Sequence, residues 1–188
     1  LQGSYTYARS IGNTEGGVKS DIGQDDTGTT QDFDYPELAI GSYGYLPNDR
    51  RHSLKLFGNY EITDEWSVGA NMLVQSGRPI NCFGFLGGTG TSHYQNSYFS
   101  CDPGPTGIPG DGAGNNGTTV VPRGTAGRLP WTTSLGLNVA YHPGWMEGLQ
   151  FKVDVFNVFN SRDAVTVNEF GEDAAGNPQP AVYKMATG

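Results

Sequence analysis

The chain has 188 residues, of which 36% are hydrophobic, 29 are Gly and 11 are Pro. Soluble domains are more often near half apolar, so this composition argues against a large dry interior, while the 12% aromatic share argues against simple disorder. The formal net charge of -8 argues against nucleic acid as a partner, because phosphate binding needs clustered Lys and Arg.

Five segments alternate apolar and polar residues with a period of two, which predicts β-strands with one apolar face. They span about residues 1–10, 50–62, 66–76, 131–141 and 149–159. Each has about ten residues, the length of a strand that crosses a bilayer at a tilt. The apolar positions end in aromatic residues, as in the girdles of membrane barrels: Tyr60, Trp66, Trp131 and Tyr141.

The connections between these segments alternate between short and long. The short ones are residues 63–65 and 142–148, and the long ones are 11–49, 77–130 and about 160–181. Long loops are uncommon in compact soluble domains, whereas outer-membrane barrels combine short periplasmic turns with long extracellular loops. The pattern therefore predicts an all-β, antiparallel transmembrane barrel. Five strands leave two open edges, which cannot lie in lipid, so we expect this segment to be part of a larger barrel.

The first long loop is acidic and contains a single base between residues 11 and 48, Lys19. We expect a solvated loop whose charges repel each other. A weaker hypothesis is a Ca²⁺ site, because Ca²⁺ takes about six to eight oxygen ligands. The candidate ligands are Asp21, Asp25, Asp26, Asp32 and Asp34.

The second long loop contains the two cysteines of the chain, Cys82 and Cys101. In an oxidising compartment such a pair predicts a disulfide, and two separate thiols in a reduced protein are the alternative. Five aromatic residues flank the pair: Phe83, Phe85, Tyr94, Tyr98 and Phe99. They either contact a ligand at the extracellular mouth, where binding residues concentrate on loops, or pack into a small core around the disulfide. The second interpretation is favoured.

Catalytic chemistry is not indicated by any motif. The three histidines lie in separate segments, and no Gly-x-Ser-x-Gly elbow is present. A catalytic triad needs a nucleophile beside an oriented base. We therefore predict that the chain is not an enzyme and has no catalytic or cofactor-binding residues.

Several stretches resemble the C-terminal barrel of TonB-dependent receptors, in particular the Oar-like branch. Leu46–His52 is similar to the start of a barrel strand in that group, and Ser76–Pro79 to the exit of a strand into a loop. Asp154–Asn160 resembles a motif of the penultimate strand, and the acidic stretch Lys19–Asp26 also looks Oar-like. The resemblance implies a barrel of about 22 strands with an N-terminal plug. The plug, the N-terminal domains and the final strand are expected outside this sequence.

The resemblance also implies a function. The parent would be an active transporter or receptor in the outer membrane of a Gram-negative bacterium, energised by TonB through the plug, for a ligand not yet identified. This chain would supply barrel wall in contact with lipid and loops at the extracellular surface. Two alternatives stay open: a passive porin-like or structural barrel, and a secreted soluble β-sandwich that acts as an adhesin or binding module.

Overall fold

The computed structural model describes residues 1–84, 98–101, 119–171 and 183–185. These residues form strands, turns and two short 3-10 helices, Ser20–Ile22 and Pro36–Ala39. The strands, in chain order, are β1 (Gln2–Tyr7), β2 (Ile11–Gly12), β3 (Gly44–Tyr45), β4 (His52–Glu61), β5 (Trp66–Gln75), β6 (Pro79–Ile80), β7 (Ser100–Cys101), β8 (Thr119–Val120), β9 (Gly127–Arg128), β10 (Thr132–Tyr141), β11 (Phe151–Val155), β12 (Ala164–Val167) and β13 (Tyr183–Met185).

One large sheet dominates the described residues. Its five strands lie in the order β1-β4-β5-β10-β11, and every neighbouring pair is antiparallel. Among the described residues, four two-stranded pairs lie in the long connections or directly after the third one. The prediction of an all-β fold with antiparallel sheets is confirmed. Closure into a barrel is not seen, because β1 and β11 each have one unpaired edge among the described residues.

Two tight turns close one end of the large sheet. Between β4 and β5, the hydroxyl of Thr63 accepts hydrogen bonds from the backbone N–H groups of Trp66 (3.1 Å) and Glu65 (3.3 Å). Such local bonds satisfy the backbone of a short turn. Glu65 also accepts a hydrogen bond from the N–H of Gly144 (2.8 Å), which ties this turn to the one between β10 and β11.

The strand register places the apolar residues in continuous rows across the sheet. Tyr60 pairs with Val68, which pairs with Val139 and then with Val153. We call this side the apolar face; it comprises Tyr5, Leu54, Leu56, Tyr60, Val68, Ala70, Met72, Val74, Leu135, Leu137, Val139, Phe151, Val153 and Val155. Leu137 remains 40% exposed and Val153 64% exposed, so no second layer built from described residues covers these positions.

The opposite side of the sheet, the polar face, has hydroxyl, amide and charged side chains in the same register. Two Asn–Gly pairs join β5 to β10: Asn71 lies opposite Gly136, and Asn138 lies opposite Gly69. A Cβ on Gly69 would approach the Asn138 amide nitrogen to 2.5 Å, so the Asn138 side chain lies over Gly69 and would have to shift if a larger residue stood there. Phe57 and Leu73 are apolar exceptions on this face.

The buried side chains of the described residues lie mostly in the long connections and not in the sheet. They include Leu38, Phe83 and Phe99 together with charged residues such as Lys19 and Arg123. The composition had argued against a large dry interior, and what is buried is a mixed core of rings and charges. No helix within the described part of the chain is long and apolar enough to span a membrane.

Candidate functional site

The long connections leave the large sheet from the same end. Tyr7, where β1 ends, pairs with His52, where β4 begins. Gln75, where β5 ends, pairs with Thr132, where β10 begins. Antiparallel pairing therefore brings the three long connections together at the end opposite the tight turns. The buried charged side chains among the described residues meet there.

The centre of this region is a group of six buried residues from two long connections, which we call the loop core: Lys19, Asp21, Asp32, Phe83, Phe99 and Arg123. The ammonium of Lys19 lies 3.0 Å from a carboxylate oxygen of Asp32. It also lies 5.5 Å from the ring centre of Phe83 and 5.4 Å from that of Phe99. A buried cation is tolerated because a carboxylate and two aromatic faces replace its water.

Arg123 is the second cation of the loop core. Its guanidinium lies 3.3 Å from Asp21 and 3.8 Å from Asp32, and it stacks 4.5 Å above the ring of Phe99. Its Nε donates to the backbone oxygen of Ser42 at 2.7 Å. A guanidinium with full burial needs partners for most of its N–H groups, and Arg123 finds them in the first connection.

Burial shifts the pKa values of two carboxyl groups at this end of the sheet, Asp21 in the loop core and Glu169 in the third long connection. Burial raises the pKa of Asp21 above its usual range, and the nearby charges of Arg123 and Lys19 oppose that shift. Burial also raises the pKa of Glu169, with Arg78 acting in the opposite direction. In both cases the loss of hydration outweighs the attraction of the neighbouring cations.

Asn81 joins the loop core to the third long connection. Its amide nitrogen donates to Asp21 (3.0 Å) and to Glu169 (2.8 Å), and its backbone N–H donates to the same oxygen of Glu169 (2.8 Å). Its side-chain oxygen accepts from the N–H of Gly124 (2.7 Å). One buried amide therefore bonds to the first, second and third long connections.

A second group lies where the strands begin and end, and we call it the arginine cluster: Arg50, Arg51, Arg78 and Arg128, with the carboxylates of Asp49 and Glu169. Asp49 is buried, accepts a hydrogen bond from the N–H of Ser10 (2.7 Å), and pairs with Arg128. Arg78 pairs with Glu169. The ring of Tyr45 lies 4.5 Å from the guanidinium of Arg51 and 5.4 Å from that of Arg128.

The acidic residues of the first loop divide into two groups. Asp25, Asp26 and Asp34 are exposed, as expected of a solvated loop. The expectation is wrong for Asp21 and Asp32, which are buried against Lys19 and Arg123. The five proposed Ca²⁺ ligands do not converge, and the described residues contain no group of three acidic, His or Cys side chains arranged to hold a metal.

Three of the five predicted aromatic contacts come together in the structure. Phe83 and Phe99 pack with ring centres 5.0 Å apart, and Gly84, next to Phe83, pairs with Tyr98 through a β-bridge. All three aromatic side chains are buried, which favours packing over ligand contact. Phe85 and Tyr94 lie outside the described residues. Cys82 is buried and is not a free thiol; its pairing with Cys101 stays a prediction, since that side chain is not among those described.

Sequence reasoning missed the basic residues of this region. Arg50 and Arg78 lie in the two stretches that resemble strand starts and exits, Leu46–His52 and Ser76–Pro79, but neither was assigned a role. Arg123 and Arg128 lie in a Gly- and Pro-rich segment with no pattern of its own. The feature of the sequence that could have identified these four arginines is their position, because each lies within a few residues of the end of a strand. Neither group places a nucleophile beside an oriented base, so the geometry suits binding and loop anchoring.

The fold and its loops define a mostly-β protein with an antiparallel sheet that is apolar on one face. No family model matches the chain, and no solved structure matches it. A curated relative is the TonB-dependent transporter Oar of Myxococcus xanthus, 32% identical over 174 residues. The match covers 89% of this chain but 14% of that protein, so the chain spans a small part of the relative it matches. The chain is a distant homologue of a TonB-dependent transporter.

Proposed function

We propose that this chain forms part of the wall and the extracellular loops of an outer-membrane TonB-dependent transporter. The observation that supports this most directly is the apolar face, where a row of apolar residues runs across four strands and every side chain is exposed or half-buried. Exposed apolar patches on soluble monomers seldom exceed a few hundred Å², so a face of this extent needs an apolar surrounding. Lipid provides one.

The dimensions of the sheet suit this role. β4, β5 and β10 each have 10 residues. At about 3.3 Å per residue they extend roughly 30 Å, which a barrel tilt reduces to about the 25 Å height of the apolar band of an outer-membrane barrel. Soluble strands are usually shorter, at about five to six residues.

Aromatic residues lie at both ends of the apolar face. At the turn end, Trp66 stacks on Tyr141 with ring centres 4.6 Å apart. At the loop end, His52 stacks on Trp131 at 5.6 Å and lies 5.1 Å from Tyr7. Rings with a polar edge settle where hydrocarbon meets the headgroups. Two such bands support interfaces at both ends of the face, and the difference in length between the turns and the long connections supports an orientation with the tight turns in the periplasm and the loop core outside the cell.

The remaining parts of the proposed function concern partners that this chain would meet in the complete protein. The polar face would line the barrel interior. The open edges of β1 and β11 would pair with further strands, since unpaired strand edges are not stable in lipid. Coupling to TonB would act through a plug, and the transported ligand is not specified by any residue described.

A photo-crosslinking experiment tests the position of the apolar face. Phe151 and Phe57 are both exposed phenylalanines on strands of the sheet, 56% and 49% exposed, but they lie on opposite faces. Benzoylphenylalanine is placed at either site in the protein expressed with the sequence that flanks this chain in its gene. After irradiation of cells, we expect phospholipid adducts from position 151 and none from position 57.

Two results would contradict the proposal. Lipid adducts at both positions or at neither would show that the two faces do not differ in their contact with lipid. Adducts of position 151 with protein alone would instead indicate a covering layer, as in a soluble sandwich.

A further inference from the structure

The segment where β5 passes into the second long connection is surrounded by guanidinium groups. Arg50 donates to the backbone oxygen of Ser76 (3.0 Å), Arg128 to that of Gly77 (3.1 Å) and Arg78 to that of Pro79 (3.1 Å). Three arginines far apart in the chain therefore bind backbone oxygens within four consecutive residues. Their charged heads lie close together as a result.

The arginine cluster has more positive than negative charge. Its four guanidiniums face two carboxylates, since Asp49 pairs with Arg51 and Arg128 and Glu169 pairs with Arg78. Among the described residues, Arg50 has no carboxylate within ion-pair distance. The cluster therefore has uncompensated positive charge at Arg50.

Arg50 also has unused hydrogen-bonding capacity. A guanidinium carries five N–H donors, and within the described part of the chain only the oxygen of Ser76 accepts from it. Burial and the nearby charges of Arg78 and Arg128 lower the pKa of Arg50. A half-buried cation beside two others is stabilised by a counter-anion, and the planar guanidinium matches the oxygens of a carboxylate or phosphate.

We propose that Arg50, supported by Arg78 and Arg128, forms a binding site for an oxyanion, either a carboxylate or a phosphate, at the junction of the sheet and the long connections. Arg50 and Arg128 are both partly exposed, so an anion reaches them from solvent. The site does not depend on whether the sheet lies in a membrane. The oxyanion comes either from a soluble ligand or from the phosphate of a lipid headgroup.

The test uses the complete protein purified in a maltoside detergent, which contains no phosphate or carboxylate. Its unfolding temperature is measured against the concentration of inorganic phosphate, and separately of citrate, at constant ionic strength set with chloride. We expect a saturable rise for at least one of the two anions. In Arg50→Gln the dissociation constant should increase by about tenfold or more, because a charge-assisted contact is lost.

Lys55→Gln is the matched control, since Lys55 is an exposed base on β4 outside the arginine cluster and its removal changes net charge equally. The control should bind as the wild type does. Arg50→Lys keeps the charge but loses the planar fork, and it should bind more weakly than wild type. This variant decides the question if Arg50→Gln does not fold.

A second part of the experiment identifies the source of the oxyanion. It repeats the phosphate titration on the protein in nanodiscs made of anionic phospholipid. Loss of free-phosphate binding there identifies the lipid headgroup as the occupant, and retention identifies a soluble anion; either result supports the site. Absence of saturable binding to the wild type in detergent overturns the proposal. Equal affinities of wild type, Arg50→Gln and Arg50→Lys, or equal losses in Arg50→Gln and Lys55→Gln, overturn it as well.

Discussion

The guanidinium of Arg123 lies 3.3 Å from the carboxylate of Asp21, although 102 residues separate them in the chain. Both side chains are buried, so neither has water as an alternative partner. We expect Arg123→Met to destabilise the loop core by about 3–5 kcal/mol, because Asp21 and Asp32 would then be buried without this cation. Hydrogen exchange of the Gly124 amide, read by mass spectrometry, reports local opening of this region.

The matched control for Arg123 is Lys152→Met, which removes a cation from an exposed pair. Lys152 lies 2.9 Å from Asp154 with 49% of its side chain exposed. Surface pairs contribute about 0–1 kcal/mol, so loop exchange should not change. Similar exchange rates in the two variants would show that the Arg123 pairs do not hold the loop core together.

Gly77 is required by a close approach of two backbones. A Cβ at this position would lie 1.6 Å from the backbone oxygen of Leu129, which has no flexible end that moves aside. We expect Gly77→Ala to reduce the free energy of unfolding by at least about 2 kcal/mol. In the control Gly12→Ala, the new Cβ meets the mobile end of Leu46 at 3.3 Å, and the loss should be under about 1 kcal/mol. Denaturant unfolding of both variants is the measurement, and equal stabilities would contradict the clash.

Leu137 lies near the middle of β10 on the apolar face, opposite Ala70 of β5. If that face meets hydrocarbon, Leu137→Lys should destabilise the protein folded in phospholipid vesicles by about 2–4 kcal/mol. Asn71→Lys, at a similar height on the polar face, should have a much smaller effect. The folded fraction is followed by heat-modifiable gel mobility at increasing urea. A larger loss from Asn71→Lys would mean that the two faces have been assigned the wrong way round.

The raised pKa values of Glu169 and Asp21 give a specific pH dependence. A carboxyl whose pKa is raised by folding binds more protons in the folded state, so its contribution makes the free energy of unfolding decrease as pH rises from the ordinary value through the raised one. For Glu169 this window opens at about pH 4. Below it both states are protonated and the contribution is constant.

Glu169→Gln should therefore make the free energy of unfolding decline less steeply as the pH rises above about 4. Glu61→Gln changes an exposed carboxyl on β4. Its free energy of unfolding should depend on pH with the same slope as that of the wild type. Unfolding free energies at a series of pH values provide the comparison. A slope in Glu169→Gln that equals the wild-type slope would show that burial does not shift this carboxyl.

The predicted disulfide between Cys82 and Cys101 is tested by non-reducing peptide mapping of the oxidised protein. We expect one peptide that contains both cysteines and separates on reduction. Reduction should destabilise the second long connection by about 2–4 kcal/mol, as for bridges that close loops of this kind. Separate, alkylatable peptides from the unreduced protein would instead support two independent thiols.

The sheet could be predicted because the residue pattern that specifies each strand lies within a short stretch of sequence. In β5, Trp66 to Val74 alternate apolar and polar side chains, and the three-residue turn before Trp66 leaves antiparallel pairing with β4 as the simplest arrangement. The same pattern fixes which side chains share a face. Whether the sheet closes into a barrel is a different question, since it depends on strands beyond the edges of β1 and β11.

The loop core was not predictable in the same way. Lys19 was recognised only as the single base of an acidic loop, and its burial depends on Phe83 and Phe99, more than sixty residues away. Asp21 and Asp32 were expected to be solvated because Arg123 lies in another connection with no periodic pattern. The charge composition of a loop predicts the sign of its net charge. It does not predict which distant cations will form ion pairs with its carboxylates.

The sequence separation of the Asn81 bonds predicts an order of events during folding. The β4–β5 turn closes over a few residues, so its pairing forms at little entropic cost. The bond from Asn81 to Glu169 spans 88 residues and must await the synthesis of both. Contacts of such long range form late and slowly. The hairpins should therefore assemble first, and the buried bonds between the long connections should form later.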